Sequence, residues 1–166
     1  MMTRATSFAL GVLAIGLASD SPAQSSRDLV GTWKLVSGTA RTGNGDKGTE
    51  VYGRNPTGFV TYTSDGRMSL IISSDGRKPL SVADRVAAPR DERAEAFATC
   101  LAYAGRYTLA GDKLTHHIEA ASFQNWVNSD QLRIVSLKGD RATFRTPPIL
   151  FNGQQQTIEL VWERLK

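Results

Sequence analysis

From residue 32 onward the chain runs in short stretches in which apolar and polar residues alternate with a period of two. The stretches cover residues 32–37, 58–63, 67–73, 103–109, 113–120, 131–137, 142–146 and 157–164, and 49–53 is a candidate for a short ninth. They are rich in Val, Ile, Thr, Tyr and Phe and are bounded by turn residues, which predicts strands. Asp65-Gly66, Gly111-Asp112 and Gly139-Asp140 join successive stretches and suit tight hairpins. Sequential hairpins make an antiparallel up-and-down meander. About eight such strands close into a barrel and so remove the exposed sheet edges. The expected fold class is therefore all-β, with an open sandwich as the alternative architecture.

Alternation also assigns faces, because the more apolar parity of a half-buried strand points inward. That rule turns Trp33 and Leu35 inward, then Val60 and Tyr62, then Met68, Leu70 and Ile72. Tyr103, Gly105, Tyr107 and Leu109 follow, then Leu114, His116 and Ile118, then Leu132 and Ile134, then Phe144, then Ile158, Leu160 and Trp162. Arg133 and Arg145 fall on the opposite parity and are expected in solvent; an inward arginine would suggest a ligand carboxylate. The interior so drawn is apolar with a few polar groups: Tyr62, Tyr103, Tyr107, His116 and Thr146. A small barrel is either filled by its own side chains or holds one small ligand. Sparse polar groups in an apolar interior are typical of small-molecule sites.

Two regions break the pattern. Residues 38–48 are rich in Gly, Thr and charge and read as a long loop at one barrel mouth. In residues 91–101, Ala94, Phe97, Ala98 and Leu101 recur at helical spacing opposite Asp91, Glu92, Arg93 and Glu95, with Pro89 just before. This predicts one short amphipathic helix that packs on the barrel as a plug or lid.

The N-terminus has a different character. Arg4 precedes an uncharged apolar run at 8–18, and Ser21-Pro22-Ala23 forms a small-x-small site. The three parts make a secretory leader over residues 1–23, followed by a polar tether at 24–28 and one domain at 29–166. The run is short for a membrane anchor, which needs about 20 apolar residues. The expected location is periplasmic or secreted. Arg4 and Asp20 leave together with the leader, so the net charge of +4 is unchanged, and the charges are interspersed. No cluster of basic and aromatic residues points to nucleic acid. Cys100 is the only cysteine, so no internal disulfide is possible despite export.

The most chemical stretch is His116-His117-Ile118-Glu119. Adjacent strand residues point to opposite faces, so the two histidines do not converge on one metal, and zinc requires three or four ligands. No metal and no cofactor is expected. Near Tyr62 or Tyr103, an interior histidine is a candidate general acid or base. The sequence contains no Gly-x-Ser-x-Gly, P-loop or dinucleotide fingerprint. Phe123 and Trp126 leave the histidine strand in a loop and either line an entrance or latch the barrel end.

The chain resembles a known family on the following residues. Gly31-Thr32-Trp33 is similar to the Gly-x-Trp signature of lipocalins. Leu29 to Ser37, Gly58 to Ser69, Tyr103-Ala104-Gly105-Arg106-Tyr107, Thr115 to Glu119, Phe123-Gln124-Asn125-Trp126, Gln131-Leu132-Arg133 and Leu160 to Arg164 together resemble the bacterial and fungal lipocalin-like domain family. The resemblance spans nearly all of the chain after the leader. It implies a lipocalin-like barrel with a central cavity. It also implies that Trp33 lies at the closed end beside Arg164, in a structural cation–π contact. The chain departs from animal lipocalins in lacking their disulfides and in the helix at 91–101. Related barrels include carriers as well as isomerases and cyclases, so fold alone does not settle function.

Three functions follow as expectations. The first is binding of a small hydrophobic or amphipathic molecule, with Tyr62, Met68, Tyr103, His116, Trp126 and Phe144 lining the site. The second is a cofactor-independent isomerase or cyclase, with His116 or His117 as acid or base and Tyr103 stabilising an oxyanion. The third is an interaction module with a filled core, which predicts an exposed apolar patch and no cavity.

Overall fold

The computed structural model describes residues 25–43 and 47–166. The expected leader lies outside the described residues. A short helix, α1 (Ser26–Leu29), opens the fold and is fixed by a capping box between Ser25 and Asp28. Ten strands follow: β1 (Gly31–Arg41), β2 (Thr49–Glu50), β3 (Thr57–Tyr62), β4 (Arg67–Ser73), β5 (Cys100–Ala110), β6 (Lys113–Ala121), β7 (Asp130–Lys138), β8 (Arg141–Arg145), β9 (Ile149–Phe151) and β10 (Gln154–Arg164). Helix α2 (Arg90–Ala98) lies between β4 and β5, and a 3₁₀ turn (Gln124–Trp126) between β6 and β7.

Eight of the strands pair in the order β1-β3-β4-β5-β6-β7-β8-β10, all antiparallel. β10 pairs back onto β1, so the barrel is closed. The short β2 and β9 pair with β1 and β10 at one end only, beside Ala40 and Gln156. That end, where β4 finishes and β5 begins, also carries α2 and the 3₁₀ turn and forms the mouth.

The opposite end is packed solid. Trp33, Tyr62, Leu114, Phe144 and Trp162 are all at most 1% exposed. The Trp33 indole N–H donates to the Leu29 carbonyl at 2.8 Å. Arg164 covers the other side of the ring, its guanidinium carbon 4.1 Å from the centroid. The same guanidinium donates to the carbonyls of Val30 and Asp28. One cation thus ties the last strand, the first strand and α1 into a plug.

Where the structure differs from the alternation rule, local geometry is the reason. In β7 the inward side chains are Arg133 and Val135, buried to 7% and 2% exposure, while Leu132 and Ile134 lie on the outer parity. Both faces of β7 carry apolar residues, so composition alone picked the wrong one. Arg145 is exposed, as its parity implies. The helix ends at Ala98, three residues before the spacing suggested. Cys100 and Leu101 pair with Ser73 and Ile72 instead, because a ladder partner on β4 satisfies their backbone groups. No α2 residue is buried; Phe97 and Ala98 border the cavity at the mouth.

Candidate functional site

The upper half of the barrel encloses a cavity of about 470 Å³. This lies within the usual range of small-molecule sites, roughly 300–1,000 Å³. Leu70 and Ile72 of β4, Leu101 of β5, and Ile158 and Leu160 of β10 form apolar walls. Val51 and Tyr52 after β2, Phe97 of α2, Phe123 and Trp126, and Ile149 to Phe151 of β9 form the rim.

The aromatic rim is built by the β6–β7 connection. Asn128 adopts a positive φ of 58° and donates its backbone N–H to the Ile118 carbonyl, while the Ser129 carbonyl accepts from the Ile118 N–H. The Ser129 hydroxyl donates to the Trp126 carbonyl at 2.7 Å. This clamp folds the 3₁₀ turn over the mouth. Trp126 then meets Tyr103 edge-on at 5.6 Å and Phe123 at 5.9 Å, a line of three rings from floor to rim. Tyr52 reaches the cavity because Gly38 lies beneath its ring. A Cβ on Gly38 would stand 2.8 Å from the Tyr52 ring. Gly38 faces inward because a bulge between Leu35 and Ser37 exchanges the two faces of β1.

At the inner end the lining turns polar: Tyr103, Gln131, Arg133 and Thr146. Behind Tyr103 stands His116, fully buried. The Tyr62 hydroxyl is 2.8 Å from His116 Nε2, and the Tyr103 hydroxyl is 3.1 Å from Nδ1. Among the described residues His116 is the one hydrogen-bond partner of the Tyr62 hydroxyl. A buried O–H left without an acceptor is costly, so Tyr62 donates to Nε2. The imidazole proton therefore sits on Nδ1 and is donated to Tyr103, whose own O–H is left to turn toward the cavity.

Burial holds these groups neutral. It pushes the Tyr62 phenol well above 10. It also raises Tyr103, against which the Arg133 guanidinium acts by charge and hydrogen bond. Tyr52 is pushed up to about 12, by burial first and by Tyr103 second. His116 is held well below 6.5 by burial, reinforced by the charges of Arg133 and His117.

The depressed histidine has a consequence for stability. Below the unfolded-chain value of 6.5, the unfolded state takes up a proton that the folded state refuses. The contribution of His116 is complete above that pH and falls by up to about 1.4 kcal/mol per pH unit as the solution is acidified toward the folded value. Replacing His116 with Gln is expected to flatten the decline of Tm between pH 7 and pH 5, read by scanning calorimetry. Parallel wild-type and variant profiles would exclude this role.

The site residues expected from sequence separate into two groups. Tyr103 and Trp126 line the cavity. Tyr62, Met68, His116 and Phe144 are buried in the packed half, and Tyr62 and His116 are linked to the cavity through Tyr103. His117 lies on the outer face, bonded to Asp130 at 2.7 Å and to Thr108 at 3.0 Å, so it has no place in chemistry inside the barrel. Arg133 and Tyr52 were missed. The sequence carried one signal for Arg133: Val135 two positions on, a β-branched residue of the same parity. Among the described residues, no group of three or more His, Cys, Asp or Glu side chains could hold a metal ion. Nor is any helix there long and apolar enough to cross a membrane.

A family model for the lipocalin-like domain matches residues 30–165. The 4'-hydroxy-3'-methoxypropiophenone carrier protein of Aspergillus oryzae is 32% identical over 84 residues, which cover 45% of this chain and 76% of that protein. Among solved structures, a lipocalin-like protein of Bacteroides uniformis is 14% identical at a TM-score of 0.45, covering 83% of this chain and 99% of its own. A protein of Bacteroides eggerthii is 13% identical at a TM-score of 0.41, covering 82% and 99%. The match over residues 30–165, on a closed barrel with its mouth open to an apolar cavity, places this chain in the lipocalin-like domain family.

Proposed function

We propose that the protein is an exported binding protein that holds one small hydrophobic or amphipathic molecule inside the barrel. The observation that carries this reading is the cavity itself: apolar walls, an aromatic rim and a few polar groups gathered at the inner end. A barrel evolved only as an interaction module would fill this volume with side chains, as the lower half is filled. The relative in Aspergillus oryzae is a carrier protein by name, which supports carriage over other uses of the fold. Export rests on the leader pattern of residues 1–23.

The test is fluorescence titration with N-phenyl-1-naphthylamine, an uncharged probe that brightens in apolar surroundings. The expected result is saturable binding of one probe per protein. Trp126→Ala is expected to weaken it by roughly tenfold, since the indole lines the cavity rim and supplies apolar contact area. Absence of saturable binding to the wild type would end the carrier reading. The export half is checked separately: intact mass of the protein recovered outside the cytoplasm should correspond to a chain beginning at Gln24.

A further inference from the structure

The cavity has an unexplained charge. Arg133 lines its inner end and is only 7% exposed. Taking a guanidinium out of water is expensive unless a counter-charge compensates. Among the described residues, no ion pair includes Arg133. The strand acids around it are engaged elsewhere: Asp130 of β7 itself with His117, Glu119 of the neighbouring β6 with Arg67 and Arg106, and Glu159 of β10 with Arg145, all on the outer face. The guanidinium has five N–H groups; Nη1 donates to the Leu132 carbonyl at 2.7 Å, and the group also hydrogen-bonds the Tyr103 hydroxyl, so that donors remain for a ligand.

A second donor stands beside it. With Tyr62 donating to His116 and His116 to Tyr103, the Tyr103 O–H has no acceptor among the described residues, and Tyr103 lines the cavity at 5% exposure. The remaining walls, Leu70, Ile72, Leu160 and Phe151 among them, offer no competing charge.

We infer that Arg133 and Tyr103 form a carboxylate seat, so that the ligand is an organic monoanion whose carboxylate goes in first and whose apolar body extends toward Trp126 and Phe123. This deepens the binding-protein reading and rests on it. A planar fork of N–H groups matches the two oxygens of a carboxylate, and a neutral phenol adds one further donor. The anion supplies the counter-charge that the protein itself does not place there. An empty barrel therefore carries an uncompensated cation, which the bound anion neutralises.

The experiment is displacement of N-phenyl-1-naphthylamine by naphthalene-2-carboxylate and by its uncharged isostere naphthalene-2-carboxamide, at pH 7. The two share one aromatic body and differ in the charged group. In the wild type the acid is expected to displace the probe at least tenfold more effectively than the amide. In Arg133→Met the ratio should fall to about one, whatever that variant's affinity for the probe. Arg133→Met should also melt at higher temperature than the wild type without ligand, because a buried unpaired cation has been replaced by a flexible apolar chain. Tyr103→Phe, which keeps the ring and loses the hydroxyl, should lower the ratio at least threefold and supplies the answer if Arg133→Met does not fold. If the probe binds but acid and amide displace it equally, or neither displaces it, or the preference survives both substitutions, the carboxylate seat is wrong and the apolar cavity stands. If the wild type never binds the probe, the binding-protein reading itself has failed.

Discussion

Replacing Trp33 with alanine is expected to lower the free energy of unfolding by about 4 kcal/mol, measured by urea denaturation followed by far-UV circular dichroism. A buried aromatic truncated to alanine costs about 3–5 kcal/mol, the range reflecting how far the cavity collapses. Collapse is hindered here, because the ring is held between α1 and Arg164. Removing the ring also deprives Arg164 of its cation–π partner, a term of about 1 kcal/mol at a partly desolvated site. A domain of this size has only about 5–15 kcal/mol in total, so the variant sits near the limit of folding. Trp162 provides the internal comparison. It is equally buried, but among the described residues its indole N–H has no hydrogen-bond partner. Phenylalanine at 33 forfeits a hydrogen bond worth about 1 kcal/mol that phenylalanine at 162 does not. Trp33→Phe should therefore be the more damaging of the two. Equal losses would show that the bond to Leu29 contributes nothing.

Gly105→Ala is expected to be comparably harmful, for a different reason. A Cβ at this position would lie 1.9 Å from the His117 carbonyl oxygen. The obstacle is backbone, so no rotamer change relieves it. It arises where the register between β5 and β6 shifts, with Ala104 opposite Ala120 but Gly105 opposite Ile118. Glu119 is the extra residue, and its side chain meets Arg67 and Arg106 outside the barrel. Accommodating a methyl group means remodelling the bulge, the segment that sets Tyr103 against the 3₁₀ turn. A loss of at least ~3 kcal/mol is expected, at the upper end of overpacking effects. Gly43→Ala is the control: a Cβ there meets nothing within 4 Å, and stability should change by less than about 0.5 kcal/mol. If Gly105→Ala unfolds at the wild-type urea midpoint, the close approach at the bulge is not as described.

Much of the barrel was legible in the chain because a closed meander makes each hairpin nearly local. Period-two alternation located the eight barrel strands to within a few residues, and two-residue turns at Gly111-Asp112 and Gly139-Asp140 made their connections plain. Where one face was decidedly more apolar, as in β4 with Met68, Leu70 and Ile72, its direction followed as well. The reading failed where the two faces were balanced. In β7, Leu132 and Ile134 outweighed Arg133 by hydropathy, yet the inward set is that of Arg133 and Val135. β9 escaped notice because three residues hold too little pattern, and its pairing depends on β10 already being in place.

The candidate site shows the same division. Trp126 and Tyr103 were recognisable as aromatic residues near a mouth and on an inward face. The level each residue occupies along the barrel axis was not recognisable, and that level separates cavity wall from packed plug. Met68 and Leu70 share one face of one strand, yet Leu70 lines the cavity and Met68 lies in the packed half. His116 and His117 are adjacent, and only the register of β6 sends the first to Tyr62 and Tyr103 and the second to Asp130.

By itself the sequence determined the fold class, the strand order and most inward faces, since these depend on alternation and turn chemistry within about ten residues of each position. Only the tertiary structure decided how far the interior is filled, which histidine it contains, and that a buried cation faces the cavity. Those depend on bulges and on side chains from β5, β6 and β7 meeting at one depth. A pattern read along one strand has no knowledge of its neighbours' register, because a shift of one residue there exchanges every face at no change in sequence.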